Sequence, residues 1–480
     1  MNRRMILFIL SWVLRIEAIL MIFPIITAIV YKEKSGLYFV IVAALVGLFG
    51  FALSKIKHPN MKLYTREGFV SVALSWIFLS FFGCLPFCLS GEIPNLVDAL
   101  FETVSGFTTT GASILSNVEG LSHCMLLWRS FTHWIGGMGI LVFVLAILPM
   151  AGAGDIHIMR AESPGPSVGK LVPKVRSTAK ILYGIYLVLT IIQFILLVCG
   201  RMPVFDAICI SLGTAGTGGF AIKNSGLADY TMYQQAVTTI FMIIFGVNFN
   251  VYFLFYARKP KDAIKSEEAR AYLIIILASA LLIAINIKDS FSNFFESFHH
   301  SAFQVASIIT TTGFSTVDFD LWPTFSKAIL VLLMFIGACA GSTGGGIKVS
   351  RIVILVKTVF KEMASMIHPN SVKIIKFEGK PIEHNVLRSI NTYLATFIMI
   401  FIASLLIICF DGFDLETSFT AIAATFNNIG PGLAKVGPTC NFGEFSILSK
   451  LVMTFDMLAG RLELFPIILL FSPRTYRKQL

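Results

Sequence analysis

Four short turns along this chain end in glycine and carry Thr or Asn beside it. They are Thr108-Thr109-Thr110-Gly111, Thr217-Gly218-Gly219-Phe220, Thr310-Thr311-Thr312-Gly313-Phe314 and Asn427-Asn428-Ile429-Gly430-Pro431. These residues offer carbonyls, hydroxyls and amides, all of them neutral oxygen donors. That is the chemistry of replacing the water around a cation such as K⁺. The ion needs oxygen ligands in return for hydration, while a fixed negative charge would hold it too tightly for rapid exit. Glycine permits the φ > 0 conformations that turn successive carbonyls to one side, and its missing Cβ lets four backbones approach closely. On this reading the ligands are Thr109, Thr110, Gly111, Thr217, Gly218, Gly219, Thr311, Thr312, Gly313, Asn428, Ile429 and Gly430, mainly through main-chain oxygen. Thr hydroxyls and Asn amides would brace the loops. The alternative is that these glycines serve helix packing, as small residues commonly do in membranes; recurrence in four places favours the filter.

Two further features could act on a cation. The run Gly337-Ala338-Cys339-Ala340-Gly341-Ser342-Thr343-Gly344-Gly345-Gly346 lies inside an apolar stretch. Each glycine costs a helix about 1 kcal/mol relative to Ala, so the run predicts a break. Gly341, Ser342, Thr343, Gly344, Gly345 and Gly346 would form a strand beneath the third turn, able to occlude a pore; a packing kink is the alternative. Lys348 and Arg351 follow and are expected at the cytoplasmic edge. Arg461 stands inside the last apolar stretch, where an arginine costs at least ~2.5–3.5 kcal/mol on insertion scales and needs water or partners. It would face the pore and set a barrier to cations, or else form a structural pair. Glu463, two residues on, faces elsewhere on a helix. Arg129 is expected to anchor the outer interface or brace the first turn, and His299-His300 to cap or face the surface rather than bind metal.

The elements that must position these residues are membrane spans. The chain has 480 residues, 56% hydrophobic and 14% charged, with mean hydropathy +0.80. Soluble chains carry about 25% charge, so this is an integral membrane protein. Met5 to Val30 is too long for a signal-peptide core and is followed at once by Gly36 to Ser54, so both read as retained spans. The net charge of +11 is not a nucleic-acid signal, because the basic residues alternate between sides in step with the spans. Arg3, Arg4, Lys55, Lys57, Lys62 and Arg66 fall on one side. With them fall Arg160 to Lys180, Arg258 to Arg270, Lys348 to Lys380, and Arg474, Arg477 and Lys478. These mark the cytoplasmic face, with both termini; the four turns enter from outside. The eight cysteines contain no Cys-x-x-Cys pair. Cys124 and Cys440, both on the outer side, could pair but read as free thiols.

The glycine turns recur at intervals of roughly a hundred residues, each between two apolar stretches, which signals an internal repeat. Residues 1–60 form a two-span leader. Pore repeats follow over 61–177 (with a cytoplasmic loop), 178–265, 266–382 (with the intramembrane loop) and 383–480. The expected fold is all-α and polytopic, with ten spans and four re-entrant segments around one pore. Asp98 and Asp206 stand at the same offset before Gly111 and Gly219, and Glu296 and Glu416 lie near the matching place. An acidic residue at a helix start suits the N-terminal dipole, and the negative C-terminal end would then face the pore. Simple N-capping is the alternative.

These residues carry a family resemblance. The filter turns, Trp134-Ile135-Gly136-Gly137-Met138-Gly139, the Arg160–Pro166 loop, Cys339–Gly346, His368-Pro369-Asn370, Asn427–Gly432 and Gly460-Arg461-Leu462-Glu463 resemble the TrkH/KtrB/HKT superfamily of potassium transport proteins, most closely its TrkH/TrkG branch. The likeness covers essentially the whole chain. It implies four joined helix–pore–helix units around one K⁺ pathway, a homodimer in the inner membrane, and a cytoplasmic TrkA-type nucleotide-binding partner that gates the pore. It also implies that the Gly run is the gating loop, that Arg461 is the pore arginine, and that Gly111, where relatives passing Na⁺ have Ser, favours K⁺. In repeat two, the extra glycines of Gly213-Thr214-Ala215-Gly216 leave two registers open, one residue apart. This chain has no Walker A or Rossmann fingerprint, so no organic cofactor is expected, and no catalytic constellation marks an enzyme. An alternating-access symporter of K⁺ with H⁺ or Na⁺ also uses broken helices, and it remains the alternative.

Overall fold

The computed structural model describes residues 1–55, 65–139, 175–370 and 374–476. Lys57, Lys62, Arg160, Lys170, Lys174, Lys373, Arg477, Lys478, the Arg160–Pro166 loop and the end of the Leu126–Met150 stretch lie outside the described residues. The protein is an all-α polytopic membrane protein: a two-helix leader and four helix–pore loop–helix repeats around one pore. Among the described residues, six helices are long and apolar enough to cross a membrane. They are the two leader spans, Arg3–Tyr31 and Gly36–Ser54, and the outer helix of every repeat: Arg66–Ser90, Ala179–Cys199, Glu267–Asn286 and His384–Asp411.

An outer helix is apolar all round because lipid is its solvent on one side and protein on the other. In repeat three, Tyr272, Ile276, Ala280 and Ile283 are buried, whereas Leu273, Ile274, Leu277 and Leu281 are exposed. Short pore helices follow: Leu96–Phe107, Val204–Gly216, Phe294–Ile309 and Leu415–Phe426. Side chains of Asn95, Asn293 and Asp414 cap three of them, and Asp98, Asp206, Glu296 and Glu416 occupy the four first turns. Capping and a favourable dipole are thus both present.

The inner helices differ from expectation. None of them runs as one straight span. The first, His123–Gly137, ends at a left-handed Gly139. The second bends by 86° between Met232–Gly246 and Phe249–Tyr256. The third divides into Thr324–Ile336 and Val349–Ile367, as the glycine run predicts. The fourth divides into Ile447–Arg461 and Phe465–Phe471, through Glu463 and Leu464 at φ 55° and 68°. In repeats two and four the sequence suggests continuous spans. The breaks arise because Asn248 caps the Phe249 helix with its side chain, and because Pro466 suits only a helix's first turn.

Trp128 joins the leader to the first repeat. It is fully buried, its indole N–H donates to Gly83 O at 3.0 Å, and its ring meets Phe39 of the leader and Phe107 of the pore helix. Trp128→Ala should therefore lower stability by about 3–5 kcal/mol, read as a lower melting temperature in detergent. Trp128→Phe should fall between it and the parent. A melting temperature unchanged in Trp128→Ala would show that the leader is held elsewhere.

Candidate ion-conduction site

Each pore helix ends in the same three-residue geometry. Thr109, Thr217, Thr311 and Asn428 have φ of 56°, 54°, 58° and 57°, and two residues later Gly111, Gly219, Gly313 and Gly430 have φ of 80°, 75°, 86° and 101°. The repeating pair settles the register in repeat two: Thr217-Gly218-Gly219 matches Thr109-Thr110-Gly111. The N–H groups turn back onto the helix, with Thr110 N donating to Ser105 O, Gly218 N to Gly213 O, Thr312 N to Ser307 O and Ile429 N to Ala424 O at 2.8–2.9 Å. The carbonyls therefore point the other way. Among the described residues, no hydrogen bond reaches the carbonyl oxygens of the twelve expected ligands.

The four loops abut in a closed ring. A Cβ built on Gly111 would lie 2.0 Å from Gly218 O, one on Gly219 1.8 Å from Thr312 O, and one on Gly313 2.1 Å from Ile429 O. The last contact returns to the first repeat, since a Cβ on Gly430 would lie 2.8 Å from Thr110 O. All twelve residues are thus brought together. Packing and carbonyl placement are linked here, because the oxygens that exclude a Cβ belong to the neighbouring loops of the ring.

Side chains brace the ring from behind. Thr108 and Thr110 hydroxyls pair at 2.8 Å, and those of Thr310 and Thr312 at 2.7 Å. Asn428 Nδ2 donates to Thr110 Oγ1 and to Met457 O, both at 2.9 Å, which ties repeat four to repeat one. Arg129 braces the first pore helix and the second turn: it pairs with Glu102 at 2.8 Å with both side chains buried, donates to Ala221 O at 3.2 Å, and covers the Phe220 ring at 4.0 Å. Ser113 and Ile114 N also donate to Glu102, so the buried charges are met. His133 passes unnoticed in the sequence. Its Nδ1 meets Gly106 O at 2.7 Å and its Nε2 accepts from Phe220 N at 3.2 Å, so it is neutral, with the proton on Nδ1. His299 and His300 contact Gln235 and Thr316, in line with a structural role. All eight cysteines are free, with Cys124 buried and Cys440 exposed.

Beneath the ring lies the loop between Ile336 and Val349. Gly345 N donates to Thr311 Oγ1 at 2.6 Å, and a Cβ on Gly345 would lie 2.5 Å from Asn427 O. Gly341 O accepts from Phe249 N at 3.1 Å, Ser342 Oγ donates to Cys339 O at 2.7 Å, and Thr343 Oγ1 donates to Phe245 O at 3.3 Å. Gly344 stacks under Thr310 O, and Gly346 turns at φ 73° against Gly337. Arg461 reaches this loop, donating to Thr343 O at 2.6 Å and to Gly136 O and Gly137 O at 2.5 and 2.8 Å. Glu463 instead pairs with Arg351 at 2.6 Å. Lys348 and Arg351 are both buried within the protein. Lys348 is 2% exposed and its left-handed backbone turns Nζ back onto Gly344 O; Arg351 is 6% exposed and lies over the Tyr393 ring.

The ring makes a graded prediction. Gly219→Ala places a methyl against the nearest carbonyl of the four and should abolish folded, monodisperse protein or sharply lower its melting temperature. Gly430→Ala, at the slackest contact, should be the milder of the two. Equal tolerance of both in a thermal-shift assay would mean that the loops are not in contact.

A family model described as "TrkH: Cation transport protein" matches residues 37–477. The Trk system potassium uptake protein TrkH of Salmonella typhimurium is 36% identical over 475 residues, covering 95% of this chain and 96% of that protein. The Trk system potassium uptake protein TrkG of Escherichia coli is 33% identical, covering 94% and 93%. The crystal structure of the potassium transporter TrkH from Vibrio parahaemolyticus superposes with a TM-score of 0.89 at 33% identity, covering 99% of this chain and all of that one. With this fold, this likeness and no enzyme family involved, the chain belongs to the TrkH family of cation transport proteins.

Proposed function

We propose that this chain takes up potassium across the cytoplasmic membrane, through a filter formed by the four glycine turns. The closed ring of unbonded carbonyls carries the reading: it offers neutral oxygen to a dehydrated monovalent ion and no carboxylate to trap it. The same twelve residues, from Thr109 to Gly430, are the proposed K⁺ ligands, with K⁺ the transported ion and no organic cofactor. The units are the leader, 1–60, and repeats 61–177, 178–265, 266–382 and 383–480. The basic residues place both termini and the loop side in the cytoplasm. Gly341, Ser342, Thr343, Gly344, Gly345 and Gly346 form the gate, and Arg461 beneath it sets a cationic barrier. The names of the relatives, all from a Trk system, and the family resemblance support a homodimer gated by a cytoplasmic TrkA-type nucleotide-binding protein.

Selectivity gives the first test. Gly111→Ser must displace Gly218 O and shift the carbonyl ring, so it should weaken the preference for K⁺ over Na⁺ by roughly tenfold. The measurement is ⁸⁶Rb⁺ uptake into proteoliposomes competed by K⁺ or Na⁺. Parent protein carrying Na⁺ as readily as K⁺ would refute the filter.

The barrier gives the second. A guanidinium bonded to the loop beneath the ring raises the energy of a passing cation in a low dielectric. Arg461→Ala should keep monodisperse yield and raise ⁸⁶Rb⁺ uptake by roughly tenfold, because water in the pathway can satisfy the freed carbonyls of Thr343, Gly136 and Gly137. Loss of stable protein together with flux would make the arginine structural instead.

A further inference from the structure

Glu268 stands in the first turn of the outer helix of repeat three and is 3% exposed. Its Oε1 accepts from Ala340 N at 2.6 Å and from Ser350 N at 3.2 Å, and its Oε2 accepts from Asn248 Nδ2 at 3.1 Å. Ala340 and Ser350 are the two feet of the loop under the filter. Asn248 belongs to the bend of repeat two, whose Phe249 N holds Gly341 O. One carboxylate thus fastens both ends of the loop and the element beside it. A buried carboxylate persists only where donors meet its charge, and here they come from the loop and the bend. The loop's seat and the accommodation of Glu268 therefore depend on each other.

The other side of Glu268 leads to the surface. A small hairpin pairs Lys376 with Pro381 and Phe377 with Lys380. In its turn, Glu378 accepts from Glu268 N at 3.1 Å and from Ser266 Oγ at 2.9 Å. Phe377 packs on Ile354 and Ile390, from the helices after the loop, and Lys357 donates to Lys376 O at 2.8 Å and pairs with Glu267. The hairpin is exposed at Lys376, Glu378 and Lys380, and through Glu378 it holds the helix start that carries Glu268.

We propose that Glu268 is a positioning residue that seats the 337–348 loop beneath the filter, and that Glu378 of the hairpin holds the helix start from which Glu268 does so. The inference rests on reading that loop as the gate, and the test separates the two. Cys339 lies in the loop, fully buried. In full-length protein in liposomes, with the other seven cysteines replaced by Ser, the rate of Cys339 labelling by a water-soluble maleimide reports the loop leaving its seat. Glu268→Ala should speed labelling roughly tenfold or more, the scale of losing charge-assisted hydrogen bonds. Glu268→Gln keeps an oxygen for Ala340 and Ser350 but sets an amide against Asn248 Nδ2, so it should be intermediate. Glu378→Ala should speed labelling less than Glu268→Ala, and ⁸⁶Rb⁺ flux should rise in the same order. Unchanged labelling in folded Glu268→Ala overturns the proposal, and if that variant does not fold, unchanged labelling in Glu268→Gln does so. Unchanged labelling in Glu378→Ala alone overturns the hairpin's part. Faster labelling without faster flux supports Glu268's role and overturns the gate reading.

Discussion

Four backbone contacts, each between a glycine Cα and a carbonyl oxygen of the next repeat, constrain the rest of this structure. They are too close for any side chain to intervene. Four loops can meet on one axis only if each arrives with the same dihedral sequence, and the paired left-handed residues in every turn supply it. A non-glycine residue at φ > 0 costs energy, yet Thr or Asn fills the first left-handed position in all four. Two of these side chains tie the ring to its surroundings: Thr311 accepts from the loop below, and Asn428 bonds across to repeat one. Pore helices, buried ion pair and histidine all serve to hold this ring without touching its inner oxygens.

The layer beneath is asymmetric. Repeats one, two and four end their inner helices near the level where repeat three sends in its loop, and each contributes to the loop's surroundings. Repeat two bonds it through Phe245 and Phe249, repeat four through Arg461, and repeat one through the carbonyls Arg461 also binds. The loop also reaches upward, through Gly345 and Thr311, to the ring itself. Ring and loop therefore share a hydrogen bond, and neither can shift far without affecting the other.

Much of this is legible in the sequence, because glycine at a fixed place in a repeat has few physical explanations. The four turns and the break at Gly337–Gly346 follow from that, and the two leader spans follow from hydropathy. Arg461 and Glu463 do have separate partners, but because the helix ends at Arg461 and Glu463 lies in the left-handed break after it. The other breaks do not follow. Hydropathy sees Tyr233–Tyr256 and Phe445–Phe471 as continuous because a bend changes backbone direction without changing polarity. Asn248 before a helical run and Pro466 near a helix start were the available signals. The burial of Lys348 is not legible for a related reason: basic residues after an apolar stretch usually mark an interface, and a left-handed backbone turns this one's Nζ back onto the loop. His133 is unreadable from sequence, since its partners, Gly106 and Phe220, come from two different repeats.

The cyclic order of the ring has a consequence for biosynthesis. Gly313 meets a carbonyl of repeat four, and repeat one's Thr110 meets Gly430 and Asn428. Lys450 of the last inner helix, in turn, pairs with Asp98 of the first pore helix at 2.7 Å. A nascent chain inserted through repeat three has three loops but no closed ring, and repeat one keeps an unpartnered flank until repeat four is inserted. The ring therefore closes only when repeat four joins it, and a partly made chain carries three of its loops with the fourth side open.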